Sequence, residues 1–230
     1  MEDMLGLMEK TDPGRKNRAA GFDPQKHHSL ARKAAAQSIV LLKNEGNSAP
    51  VLPFSENTKA ALIGAFGCTP RYQGAGSSAV NPLQLENLSQ MIEKYLPQNT
   101  GYETGYIPGR KRNPSREQKA LALAAKSQLV LYCMGLDEPS ELEGSDRKDL
   151  SVPEEQILLL QKIYEVNPNI VVLLSTGGAV DLWWERYCSA VVYCQLGGQA
   201  GASAILEVLL GKVCPSGRLS DTWPFHYEDT

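Results

Sequence analysis

At 230 residues and a formal charge of −3, the chain is long enough for one domain with a sizeable core and carries no surplus of positive charge. Apolar residues make up 42% and charged residues 21%, ordinary globular proportions that argue against a disordered or fibrous chain. Basic residues cluster only at Arg110-Lys111-Arg112, which speaks against nucleic acid or an anionic membrane as a partner, and no stretch approaches the apolar length needed to span a bilayer.

In chain order, residues 1–26 have weak periodicity and read as a helical turn followed by a linker, an N-terminal tail before the domain at 27–230. His27 to Gln37 is rich in helix formers and runs into the apolar stretch S-I-V-L-L-K-N, which ends in the turn cluster Asn47-Ser48-Ala49-Pro50. Lys59 to Phe66 predicts a short strand, Leu85 to Tyr95 a helix, and Gly101 to Ile107 a strand. Ser115 to Lys126 predicts a helix and Gln128 to Met134 a buried strand. Ser151 is placed to cap a helix beginning at Val152-Pro153, with Glu154 and Glu155 in the first turn, where the helix dipole favours negative charge. Asn169 to Ser175 and Ala190 to Leu196 follow as strands, with helices expected around Asp181 to Tyr187 and over Ala200 to Leu210. Trp183 and Trp184 open the first of these, one expected in the core and the other available to line a ligand-binding edge.

Strands that are apolar throughout, separated by amphipathic helices, imply an α/β fold: a three-layer αβα sandwich around a mostly parallel, doubly wound, flavodoxin-like sheet whose strand order is not readable. Ligands bind such sheets at the carboxyl ends of the strands. Four loops follow strands there: C-T-P-R-Y-Q-G-A-G-S-S, G-L-D-E-P-S-E-L-E-G-S-D-R, T-G-G-A-V-D and G-G-Q-A-G. The glycine-rich loops lack the Lys-Ser/Thr ending of a P-loop and the spacing of a dinucleotide fingerprint, so no cofactor is expected. His27, His28 and His226 all lie outside the acidic loop in sequence, so no metal cluster is expected, and His27 and His28 are read as flanking the first helix. The five cysteines form no C-x-x-C pair, and Cys133 and Cys194 sit in apolar runs. Buried free thiols, with no signal-peptide pattern in the first residues, point to a cytoplasmic protein.

The acidic loop stands out. Asp137, Glu138, Glu141, Glu143, Asp146 and Asp149 crowd one stretch, with Arg147 and Lys148 as countercharges. Spacing alone also fits a solvated surface loop. Crowded carboxylates at a sheet's ligand-binding edge, however, raise each other's pKa, as a general acid requires near neutral pH.

Five stretches resemble glycoside hydrolase family 3, and in particular the α/β-sandwich domain of its bacterial β-glucosidases: 34–45 (A-A-A-Q-S-I-V-L-L-K-N-E), 71–82 (R-Y-Q-G-A-G-S-S-A-V-N-P), 141–156 (E-L-E-G-S-D-R-K-D-L-S-V-P-E-E-Q), 196–201 (L-G-G-Q-A-G) and 215–224 (P-S-G-R-L-S-D-T-W-P). They occur in the family's order and cover roughly residues 27 to 224. The resemblance implies a retaining mechanism on a β-linked glucoside or oligosaccharide, with an aspartate nucleophile on a separate (β/α)₈ barrel domain and the acid/base carboxylate on this one. The E-G-x-D-R pattern places that acid/base at Glu143, with Glu141 as the alternative. Asp146 and Arg147 are implied to fix the loop, and Arg71 with Gly74, Ser77 and Ser78 to border the sugar pocket. A retaining mechanism needs two carboxylates about 5 Å apart. Residues 1–26 are too short to hold a barrel, so the expectation is a domain of a larger enzyme, inactive alone. Two other classes stay open: a carbohydrate-binding or docking domain without chemistry, and a flavodoxin-like nucleotide or regulatory domain.

Overall fold

The computed structural model describes Met4, Gly6 and residues 21–46, 49–109 and 112–229, with the backbone alone at Ser78. Most of the expected tail, Asn47-Ser48 of the turn cluster and Arg110-Lys111 of the basic run lie outside the described residues.

The first described helix, α1, spans Pro24–Ser38 and starts before His27. The cause is local: Asp23 accepts hydrogen bonds from the amides of Gln25 and Lys26, and Pro24 occupies the first turn, where its missing N–H costs nothing. Strand β1 (Val40–Asn44) and β2 (Ala60–Ile63) follow, then α2 (Leu88–Tyr95), opened by an Asn87 cap rather than at Leu85. Strand β3 covers only Gly101–Glu103, because Gly105 turns the chain out of the extended expectation at positive φ. Helix α3 (Pro114–Ala125), capped by Asn113, leads into β4 (Leu129–Gly135). Helix α4 (Glu154–Val166) begins after Pro153 and takes no cap from Ser151, whose amide is turned instead to the Asp149 carboxylate at 2.9 Å. Strand β5 (Ile170–Ser175), β6 (Ala190–Tyr193) and α5 (Gly201–Leu209) complete the fold. The helix expected around Asp181 to Tyr187 is a 3₁₀ turn, Trp183–Tyr187, in which Trp184 is fully buried and Trp183 is exposed.

Among the described residues the sheet has six strands in the order β1-β6-β5-β4-β2-β3, all parallel except β1, which pairs antiparallel with β6. Side chains alternate across it, as the pleat requires. Leu129, Leu131 and Cys133 face a core completed by α1, α2 and α5; Val130, Tyr132 and Met134 face one completed by α3, α4 and Trp184. The three-layer α/β sandwich is therefore the observed architecture, with both faces of the sheet covered. Cys133, Cys188 and Cys194 are buried free thiols, while Cys68 and Cys214 are exposed; burial pushes the Cys188 thiol up to about 12, so it is inert near neutral pH.

The winding reverses between β2 and β4: the chain leaves β2 toward β3 and returns across it to β4. That is the topological switch point, where the carboxyl ends of neighbouring strands open a crevice. Two glycines bring the backbones together there. A Cβ on Gly64 would lie 2.1 Å from the Cys133 carbonyl oxygen, and one on Gly135 would lie 1.9 Å from that of Ser175. Both residues have positive φ, which L side chains rarely adopt. The opposite edge is closed by side-chain amides. Asn167 donates to the carbonyls of Ala124 and Ser127 at 3.0 and 2.8 Å and accepts from the Asn169 amide, and Gln128 accepts from the Lys59 amide.

Candidate active site

The loops after β2, β4 and β5 meet at the switch point, and the side chains of the acidic loop sort themselves by partner. Asp137 caps the 3₁₀ turn Glu138–Glu141, accepting from the Ser140 amide and hydroxyl at 3.2 and 2.5 Å. Glu141 turns inward: one oxygen accepts from Arg71 Nη2 at 3.1 Å, the other from the amides of Gly177 and Gly178 at 2.7 and 3.1 Å. Glu143 turns outward, exposed, and accepts from Ser77 Oγ at 2.6 Å. The crowding expected from composition is thus not the organising feature, since each of these carboxylates has a separate set of donors.

Arg71 is buried among the loops of this edge. Its side chain is 4% exposed, and its Nε and Nη1 donate to the carbonyls of Leu136 and Gln73 at 3.0 and 3.2 Å. With Nη2 given to Glu141, each nitrogen of the guanidinium makes a hydrogen bond within the protein, and Arg71 ties the loops of this edge together.

Ser77 sits in a 3₁₀ turn, Gly76–Ser78, whose mouth is closed by Gln73. That amide accepts from the Val80 N–H at 2.9 Å and donates to the Val80 carbonyl at 3.1 Å. Gly74 lies half-buried inside this closed loop, and the Ser78 side chain is outside the described residues. The loop and Glu143 are in close apposition, since a Cβ on Gly76 would meet Glu143 Oε2 at 3.2 Å. Asp146 is exposed. Arg147 fastens the far end of the acidic loop: Nη1 donates to the Ala179 carbonyl at 2.6 Å, and its own carbonyl accepts from Tyr227 Oη at 3.0 Å. Nearby, burial pushes the Asp181 carboxyl above the ordinary range and Asp149 adds to it, against the Ser151 hydroxyl and the Arg147 charge. Among the described residues no group of three or more His, Cys, Asp or Glu is placed to hold a metal ion.

A second polar cluster went unread in the sequence. His28 is buried on α1, with Nε2 2.9 Å from Glu86 and Nδ1 2.8 Å from the Gln199 amide, while Glu86 accepts from the Ser203 amide and hydroxyl at 2.9 and 2.6 Å. The Ser203 and His28 hydrogen bonds hold the Glu86 carboxyl below its usual range despite burial. It pins α1 and the segment before α2 to the start of α5. An isolated Glu and a His in the first turns of a helix carry no spacing signal for such a contact.

Comparison with known proteins bears on the family and the fold. Residues 39–230 match the glycosyl hydrolase family 3 C-terminal domain. The thermostable beta-glucosidase B of Acetivibrio thermocellus is 40% identical over 215 residues, covering 91% of this chain and 28% of that protein. An exo-alpha-(1->6)-L-arabinopyranosidase of Bifidobacterium breve is 34% identical across 99% of this chain and 31% of its own length. The crystal structure of a family 3 beta-glucosidase from Bifidobacterium adolescentis superposes with a TM-score of 0.91 at 34% identity, over 98% of this chain and 33% of that one. The chain therefore spans about a third or less of the length of these relatives. With its sandwich, its switch-point loops and this likeness over nearly its whole length, the chain belongs to glycoside hydrolase family 3 and carries that family's C-terminal domain.

Proposed function

We propose that this chain supplies the acid/base carboxylate, Glu143, to a retaining glycoside hydrolase whose aspartate nucleophile lies on a separate barrel domain, and that the substrate is a β-linked glycoside. The observation that carries the reading is the contrast between the two candidate glutamates. Glu141 has both oxygens engaged inside the protein, whereas Glu143 is exposed at the switch-point crevice and, among the described side chains, accepts from the Ser77 hydroxyl. An acid/base must reach a leaving group supplied from outside, so its carboxyl has to face out. In the first half-reaction Glu143 protonates the departing glycosidic oxygen. In the second it takes a proton from the water that releases the sugar from the nucleophile. Related proteins carry beta-glucosidase, xylosidase and arabinopyranosidase names, so the sugar is left to the partner domain in this reading.

Because the mechanism needs two carboxylates, the chain alone is inactive. Assays on an aryl β-glucoside test this: no turnover by the chain, and turnover once it is joined to a barrel domain of the family. In the joined enzyme Glu143→Gln lowers kcat on alkyl glycosides by about 10²- to 10⁴-fold. Turnover by the isolated chain that disappears in Glu143→Gln contradicts the two-domain site. Sugar binding without turnover in the joined enzyme, unchanged by Glu143→Ala, turns the reading into that of a non-catalytic carbohydrate-binding domain.

A further inference from the structure

Glu141 stands two residues before Glu143 and is bonded unlike an ordinary loop glutamate. Its side chain is 12% exposed, and its carboxylate gathers one guanidinium nitrogen and two backbone amides. Arg71, opposite it, is held by the carbonyls of Leu136 and Gln73. One buried ion pair thus joins four stretches of backbone: the loop after β2, the exit of β4, the acidic loop, and the Gly177-Gly178 turn after β5. The fit is close, since a Cβ on Gly177 would meet Glu141 Oε1 at 3.2 Å. At the other end of the same loop Arg147 grips the Ala179 carbonyl at 2.6 Å. The segment bearing Glu143 is therefore fastened at both ends to residues 177–179, and only its middle faces outward.

A buried ion pair adds little net stability, because desolvation of both charges offsets their attraction; its attested use is to select one arrangement over others. We propose that Glu141 and Arg71 form a positioning pair that sets where the Glu143 carboxyl stands in the crevice, so that both serve proton transfer without touching substrate. The proposal rests on the reading of Glu143 as proton donor. Proton transfer requires heavy atoms at about 2.6–3.2 Å, and a displacement of about 1 Å costs on the order of 10²-fold in rate. Such a loss falls on the protonation step and spares reactions that do not need it.

The test uses the joined two-domain enzyme and two β-glycosides: an alkyl glycoside, whose leaving group must be protonated, and a dinitrophenyl glycoside, whose leaving group departs unaided. Rates are taken on the step that releases the leaving group. Glu141→Gln is expected to lose about 10²-fold on the alkyl glycoside and about threefold or less on the dinitrophenyl one. An equal loss on both substrates marks a folding effect and overturns the proposal, as does no loss on either. Gly177→Ala is the second variant, and it applies if Glu141→Gln does not fold. Its φ lies outside the left-handed region, and the added methyl displaces the Glu141 carboxylate without removing it. A smaller loss confined to the alkyl glycoside supports the pair; a loss shared by both substrates, or none, overturns it. Glu143→Gln in parallel separates the two claims. If it loses activity equally on both substrates, the proton-donor reading fails; if its loss is selective and those of Glu141→Gln and Gly177→Ala are not, only the positioning claim fails.

Discussion

The two edges of the sheet are built from the same kinds of polar residue and put to opposite uses. At the edge where the parallel strands begin, the side chains of Asn167, Asn169 and Gln128 hydrogen-bond to neighbouring backbone groups, the Lys59 amide among them, while Thr100 and Ser127 share a hydroxyl contact at 2.6 Å. Those side chains complete their bonding within the protein. At the edge where the strands end, Arg71, Glu141 and Arg147 also bond inward, yet between them Glu143 is turned out, exposed, and accepts from Ser77. On the proposed reading of Glu143 as proton donor, the difference teaches how an α/β domain makes a reactive group available: it spends neighbouring polar residues on rigidity so that one can face solvent in a fixed place.

That division can be broken by substitution. The largest expected effect is at the strand-end edge, where Gly135→Ala would drive a methyl to 1.9 Å from the Ser175 carbonyl at a φ of +152°. A loss of about 4 kcal/mol or more is expected, read as a fall in the urea midpoint of the chain. A neutral outcome would mean that the backbone under the site is loose, and the contrast between edges would lose its basis. Asn167→Ala comes next. It strips three backbone groups of their partner at the strand-start edge and is expected to cost about 2–3 kcal/mol, again by urea midpoint. In the joined enzyme it should leave kcat per folded molecule unchanged; a changed kcat would show that the two edges are not separable.

The smallest effect, away from both edges, sharpens the comparison by giving a purely electrostatic reference. On the outer face Glu117 accepts from Arg112 at 2.6 and 2.7 Å and from Lys162 at 2.5 Å. The Arg112 hydrogen bonds, with those of Lys162 and against burial, hold its carboxyl down at about 2. A depressed carboxyl contributes stability above the unfolded value of about 4.3 and loses it as pH falls through the folded one. Glu117→Gln is therefore expected to lower stability by about 1 kcal/mol at neutral pH, the partners being half exposed. The gap to the unsubstituted chain narrows from about pH 5 downward and closes near pH 2. Thermal melts across that range check it, and a gap that widens in acid would reverse the sign.

How much of this was legible in the chain follows the kind of force involved. Strands β4, β5 and β6 were readable because both faces of each are buried, so their apolar runs are unbroken. Helix starts were less so. Asp23, Asn87 and Asn113 cap their helices through side chains, whereas Ser151, an equally good candidate by type, has its amide bound by Asp149. The loops that follow the parallel strands were legible from their place after apolar runs, but the different bonding of Glu141 and Glu143 was not. They share one loop and one chemistry, and what separates them is Arg71, 70 residues away, and the Gly177 amide, 36 residues away. Long-range hydrogen bonds leave no periodic trace in one sequence, and the same reason hid the His28–Glu86 contact.

The outermost strands carry a further consequence, for behaviour in concentrated solution. β3 offers only three residues, and β1 breaks its register between Leu41 and Lys43, with the Lys43 ammonium paired to Glu185 beside the break. A short margin on one side and a bulged, charged one on the other give a second molecule little straight backbone to zip onto. Both rims are thus of the kind that discourages edge-to-edge pairing between copies.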